Sequence, residues 1–162
     1  GIRLIEKYYT DFIRSGAKLS IEEKEELKTI NGKIAVLQTN FSQNILKEVN
    51  ALAVVVDSRE ELNGLNNASI EAAANEANSR GLMGKYVIAL KNTSGQPAMA
   101  SLKNRSLREK IHKTSLSRGS NGGDFDNREN LSKVIKLRAD RAQLMGYKNH
   151  AAYSLELSLI HI

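Results

Sequence analysis

The chain has 162 residues, 41% of them apolar and 26% charged, with 24 lysines and arginines against 18 aspartates and glutamates for a net charge of +6. That length suits one domain with a buried core, and no run approaches the roughly 18 apolar residues of a membrane-crossing helix or the pattern of a secretory signal. There is no cysteine, which excludes disulfides and cysteine-bound zinc and fits a cytoplasmic protein.

Taken in chain order, the pattern is mostly helical. Ile2, Ile5, Tyr8 or Tyr9, Phe12 and Ile13 recur at helical spacing up to Ser15-Gly16. Ser20 with Glu23 forms a capping box that opens a second helix. Along it Leu27, Ile30, Ile34, Leu37, Phe41 and Ile45 make one apolar stripe, about 27 Å long at about 1.5 Å rise per residue. The stripe is flanked by Glu22, Glu23, Glu25 and Glu26 and by lysines elsewhere, and it asks for partner helices. Gly32 costs this helix about 1 kcal/mol.

The periodicity then changes. Ala51 to Val56 and Lys85 to Leu90 are short β-branched runs bounded by turn-formers and predict two strands, pairing in either sense. A lone pair is marginal in water and must lie against helices. Between them Ser58 with Glu61 predicts another capping box, and Ile70 to Arg80 an alanine-rich helix closed by Gly81. Pro97 suits a helix first turn, and Ser106 with Glu109 predicts a third capping box leading a helix to about Arg118. Ser117 to Asn127, with Gly119, Gly122 and Gly123, reads as a flexible loop. The fold class that results is mainly α, a multi-helix fragment with one small two-stranded β element.

The last part is the most informative. From Arg138 a helix runs to Gly146, which can take φ > 0 at the position after the C-cap; Tyr147 follows as an aromatic anchor, and Asn149 caps a new helix. The block Arg138 to Glu156 resembles R-A-x-x-A-x-L-L-G-F-x-x-Y-A-A-Y in the non-catalytic helical half of the zinc oligopeptidases, the family of thimet oligopeptidase, oligopeptidase A and peptidyl-dipeptidase Dcp. Other segments resemble that family in its order: Gly16 to Leu19 (G-A-K-L), Phe41 to Asn44 (F-S-Q-N), Thr93 to Ala98 (T-x-Q-Q-P-A), Asn104-Arg105 with Arg108 to Lys110 (N-R-x-x-R-E-K), and Asp126 to Arg128 (N-D-x-R). The Dcp branch is the most similar. Two departures lie on the turn: Lys148 where a proline is common and His150 where an aromatic is common.

That family's chemistry needs His-Glu-x-x-His on a helix, where two histidines one turn apart bind zinc and the glutamate serves as general base to its water. None of the three histidines, His112, His150 and His161, has that spacing. The resemblance therefore implies a parent peptidase acting on short peptides, with zinc and all catalytic residues outside this chain. No catalytic, cofactor-binding or metal-binding residue is assigned here. The expected partners are peptide substrates and the missing catalytic domain of the same polypeptide, with no membrane.

Both ends fit a fragment. Gly1 is not an initiator methionine, and a helical pattern is under way at once. Residues 1–156 carry the resemblance, whereas residues 157–162 do not continue it and look like the translation of a transposon mosaic-end adapter, a short alternating strand being the plainer reading.

A stand-alone basic binding module, for nucleic acid or a protein partner, is the rival. Residues 1–100 hold twelve basic and twelve acidic side chains, residues 101–150 twelve against five. Such a stretch can bind phosphates, but single-strand recognition adds aromatic platforms and only Phe125, Tyr147 and Tyr153 lie in the second half of the chain, so a solvated helix surface is preferred. His112 reads as a surface residue and His150 as a packing or helix-end residue. Asp124 and Asp126 lack the spaced oxygens of a calcium loop, and Asp126 suits a helix N-terminus. Gly119 to Gly123 lacks the Lys-Ser/Thr ending of a phosphate loop, and no serine sits in a nucleophile elbow.

Overall fold

The computed structural model describes residues 1–90 and 95–156. Among them seven α-helices and two strands follow in the order α1 (Ile2–Arg14), α2 (Ile21–Ala51), β1 (Val54–Val56), α3 (Asn67–Ser79), β2 (Tyr86–Ile88), α4 (Ala98–Ser101), α5 (Arg105–Leu116), α6 (Arg128–Leu144) and α7 (His150–Leu155), with 3-10 turns at Glu60–Leu62 and Gly123–Phe125. The protein is mainly helical with one small sheet. No helix among the described residues is long and apolar enough to cross a membrane. Two compact units result: Gly1–Phe41 with the chain from Glu129 onward, and the continuous segment Ser42–Arg128.

In the first unit α2 opens as its capping box requires: the Glu23 backbone N–H donates to the Ser20 hydroxyl at 3.1 Å, and the Ser20 N–H to the Glu23 carboxylate at 2.8 Å. Of its stripe, Leu27, Ile30 and Ile34 are buried and Leu37 is half-buried; from α6 this unit also buries Val134 and Ala142. α1 buries none of its residues, and Ile2, Leu4, Ile5, Tyr8, Tyr9 and Phe12 all stand exposed.

The second unit has a denser core. β1 and β2 pair antiparallel with Val54 opposite Ile88 and Val56 opposite Tyr86, which settles the sense left open by the sequence. One face of the pair lies against α3, and Val54, Val56, Leu62, Ile70, Leu107 and Ile111 form the heart of the cluster. Leu62 and Ile111 are fully enclosed. The helices supply the apolar cover that an isolated two-stranded pair lacks.

Several expected boundaries shift. Ala51 to Ala53 do not join the first strand: α2 runs to Ala51 and Leu52 N–H still bonds to Glu48 carbonyl at 2.8 Å, because alanine serves a helix better than a strand. Ser58 and Glu61 make half a capping box, one bond at 3.3 Å, and close a 3-10 turn instead of opening a helix. α3 starts at Asn67, three residues early, because Asn66 accepts from Ser69 N–H at 2.8 Å. Likewise Asn104 caps α5, accepting from Leu107 N–H at 3.1 Å, so Ser106 sits inside the first turn. The expected adapter translation or strand at residues 157–162 lies outside the described residues, as do Thr93 and Ser94 of the motif beginning at Thr93.

The segment Ser117 to Asn127 differs most from its expectation as a flexible loop. Its Gly119 N–H and Asn121 amide both donate to the buried carboxylate of Glu48 on α2, the second at 2.8 Å. Asn127, also buried, donates its own N–H to Gly119 carbonyl at 2.8 Å and accepts from Asn44 at 3.1 Å. A buried carboxylate that gathers donors from a glycine-rich segment fixes it in place.

Candidate functional site

The block from Arg138 to Glu156 folds as its glycine and asparagine dictate. α6 ends in a Schellman motif, with Tyr147 N–H on Ala142 carbonyl at 2.8 Å, Gly146 N–H on Gln143 carbonyl at 2.9 Å, and Gly146 at φ 79°. Asn149 then caps α7 by accepting from Ala152 N–H at 2.9 Å. The tight reversal swings Tyr147 onto Tyr153, ring centroids 5.2 Å apart and edge to face at 84°. His150 takes the place of an aromatic, its ring 6.4 Å from Tyr153 at a shallow 27°.

Into this aromatic corner comes Arg14 from the last turn of α1. Its guanidinium lies 4.0 Å from the Tyr153 ring centroid, donates to the Tyr153 carbonyl, and pairs with Glu156 at 2.9 Å. Tyr147 hydroxyl donates to the same Glu156 carboxylate. Burial pushes the Tyr147 phenol up, and the bond to Glu156 adds to it; the Tyr147 and Arg14 bonds hold Glu156 below its ordinary value. Arg141 stands 5.2 Å from the other reach of the Tyr153 ring and donates to Asn31 of α2 at 3.1 Å. Burial, then the charges of Arg138 and Arg141, lower the His150 pKa and favour its neutral form.

Chemically this is a brace. Arg14 is committed to a carbonyl, a carboxylate and a ring, contacts that tie α1 to α7. Arg14 and Glu156 are absent from any sequence expectation, since nothing local marks two residues 142 apart as partners. Only Tyr147 is signalled by the sequence, as the aromatic anchor of the turn.

In the second unit an open concavity of about 360 Å³ lies between α3, β2 and the start of α4, bordered by Ser69, Glu76, Val87, Gln96 and Ser101. Gln96 is buried and donates to Ser115 at 3.0 Å. Among the described residues lining the concavity the one carboxylate, Glu76, is paired with Arg80 at 2.7 Å, and no histidine stands beside it.

The remaining candidates fall on the plain side. His112 is exposed on α5. Asp126 serves the start of α6, accepting from Arg128 N–H at 2.9 Å and from Gly122 N–H at 2.8 Å, with the Arg128 side chain beside it at 2.6 Å. Lys85 meets Asp57 at 2.8 Å. Of the basic half, Lys113 pairs with Glu109 at 2.5 Å, Lys133 with Glu129 at 2.7 Å and Lys136 with Asp140 at 2.9 Å, which breaks up the row of free cations that phosphate binding would use.

Residues 98–159, from α4 through the braced turn, match the sequence profile of peptidase family M3. Similarity extends well beyond that stretch. The chain is 33% identical over 154 residues to dipeptidyl carboxypeptidase of Escherichia coli, covering 95% of this chain and 23% of that protein. It is 32% identical to the probable cytosolic oligopeptidase A of Arabidopsis thaliana, with 94% and 22% covered, and 31% identical to oligopeptidase A of Haemophilus influenzae, with 94% and 23% covered. Along nearly its whole length the chain is similar to peptidases of family M3.

It spans about a quarter of the length of these relatives. M3 peptidases are zinc metallopeptidases. The residues described here do not fit that metal: no three of histidine, aspartate or glutamate stand close enough together to hold one. His112 lies in the second unit and His150 in the first, and neither belongs to a group of three ligand-type side chains among the described residues.

Proposed function

We propose that this chain is part of the non-catalytic helical half of a zinc M3 peptidase that hydrolyses short peptides, and that it forms a wall of the substrate channel. The zinc-bearing half is then a further part of the same polypeptide. The observation that carries this reading is the match itself: nearly the whole chain aligns with under a quarter of each relative, while the His-Glu-x-x-His pair that zinc chemistry needs does not occur in these residues.

The chain's own contribution is confinement. A rigid wall excludes folded proteins and holds extended peptides near the metal, so its residues bind and orient without touching the reacting bond. The braced corner of α1, α6 and α7 and the pinned segment at Gly119 supply that rigidity. A peptidyl-dipeptidase activity of the parent is supported by the Escherichia coli relative's name, and a cytoplasmic location by the name of the Arabidopsis one.

The test is the source DNA. A reading frame that continues past Glu156 into a His-Glu-x-x-His helix is expected; a stop directly after Ile162 with a start at Gly1 would overturn the reading. On the purified chain, no zinc-dependent cleavage of a short peptide is expected, and robust cleavage would sink the assignment to the non-catalytic half.

A further inference from the structure

In the first unit α2 and α6 leave a groove of about 780 Å³ whose floor is apolar and whose edges are basic. Gly32, Val36 and Leu37 of α2 and Leu137 of α6 line the floor, and Val36 is 60% exposed. Lys28 and Lys33 of α2 and Lys133 and Lys136 of α6 line it as well, against one carboxylate, Asp140.

Gly32 is the telling residue. It sits inside a helix, where glycine costs about 1 kcal/mol relative to alanine. Nothing in the unit accounts for it, since a Cβ there would meet no atom within 4 Å. A glycine on an open groove floor lets another backbone come close, and that gain lies outside these residues.

The rim selects the occupant. Lys28 pairs loosely with Glu25 at 3.5 Å, Lys133 with Glu129 and Lys136 with Asp140; all are exposed pairs of little worth, and Lys33 has no ion pair among the described residues. A carboxylate on an incoming chain can replace these partners while its apolar stripe covers Val36, Leu37 and Leu137. A second copy placed face to face would bring two lysine rims together, which costs binding energy.

We propose that this groove seats an amphipathic helix whose aliphatic stripe is bordered by carboxylates, supplied by the part of the longer family polypeptide outside these 162 residues. This rests on the reading above, that the chain is one segment of a larger peptidase. From Lys28 to Leu37 the groove floor runs about 14 Å, enough for two to three turns of helix. The mode is helix-in-groove recognition, with the apolar floor giving affinity and the lysines giving register.

The test uses two fluorescein-labelled synthetic peptides of identical leucine stripe, one flanked by glutamates and one by lysines, titrated against the 162-residue chain by anisotropy. The glutamate peptide is expected to bind at least about tenfold more tightly than its lysine twin, and to lose about tenfold on Val36→Glu. Gly32→Leu separates binding from folding: it should fill the groove and weaken binding while the thermal midpoint stays or rises. Equal binding of the two peptides, or binding that ignores both variants, overturns the proposal. So does concentration-dependent dimerisation in sedimentation that Val36→Glu abolishes, because the occupant is then a second copy. A source frame closed at both ends, with the glutamate peptide still bound, would remove the larger-peptidase reading and with it the proposed source of the helix. A continuing frame with no peptide bound would remove the groove alone.

Discussion

The guanidinium of Arg14 lies over the ring of Tyr153 at 4.0 Å from its centroid while donating to that residue's own carbonyl. One side chain thus satisfies the last turn of α1 and the face and backbone of α7. Its side chain is only 10% exposed, so solvent screens the contact weakly. Arg14→Ala is expected to destabilise the first unit by about 2 kcal/mol, combining a partly desolvated cation–π contact with charged hydrogen bonds. Arg14→Lys should recover only part, because an ammonium cannot stack and fork together. Urea unfolding followed by tyrosine emission measures both; an Arg14→Ala midpoint equal to wild type would refute the brace.

Gly64 is the least replaceable glycine. Its φ is +103°, and a Cβ would lie 2.1 Å from the Ser101 carbonyl oxygen. Backbone strain and a clash with backbone, which cannot swing aside, should make Gly64→Ala cost upwards of about 3 kcal/mol. The second unit should lose its cooperative transition in calorimetry. Gly84→Ala is the control, for its φ is also positive but its Cβ would meet nothing, so it should cost less.

Removal of the Glu48 carboxylate should be worse than its neutralisation. Glu48→Ala leaves the buried Gly119 N–H without its acceptor, while the exposed Asn121 amide keeps its bond to the Ser117 carbonyl, a loss of about 2 kcal/mol. Glu48→Gln keeps one acceptor and should cost less. Amide exchange at Gly119 reads the effect directly: fast exchange is expected in Glu48→Ala, and unchanged protection would show that the segment holds itself.

Acid should loosen the start of α6. The Arg128 side chain first, then its backbone N–H, hold the Asp126 carboxyl well below the usual carboxylate range. A group whose folded pKa is depressed contributes stability above its unfolded value near 3.8, and that contribution drains as pH falls through the lowered folded value. The stability curve of Asp126→Asn between pH 5 and 2, values about the unfolded carboxyl pKa, should therefore be flatter than that of the wild type. Parallel curves would refute the assignment.

Gly32→Ala offers the opposite sign. With room for the methyl group and a helical backbone, the chain should gain about 0.5 to 1 kcal/mol, seen as a higher urea midpoint at unchanged slope. A loss would mean that the groove floor is tighter than its geometry.

What the sequence disclosed depended on range. The Ser20 and Glu23 box, the stripe of α2 and the Gly146 reversal are written in residues three to five apart, and each stands as expected. Caps were misplaced where an asparagine and a serine competed, as at Asn104 and Ser106, because either can accept from a first-turn N–H and only the backbone decides. The strand at Ala51 was over-read since α2 draws the alanines into its last turn. Arg14 with Glu156, and Glu48 with Gly119, were invisible: each joins segments whose separation carries no local pattern. The family resemblance came by a different route, through order of motifs, and it named none of these contacts.

The split of the first unit across the sequence has a consequence for synthesis. Its opening helices are made first, yet Tyr153 follows Arg14 by 139 residues. At about 5 to 20 residues per second, a ribosome needs roughly 7 to 28 seconds to deliver that partner. The continuous unit Ser42–Arg128 is complete before α6 has left the tunnel and can fold at once, whereas the Arg14 guanidinium waits without Tyr153 and Glu156. For that interval the nascent chain carries a finished continuous unit while the brace on α1 is still unmade.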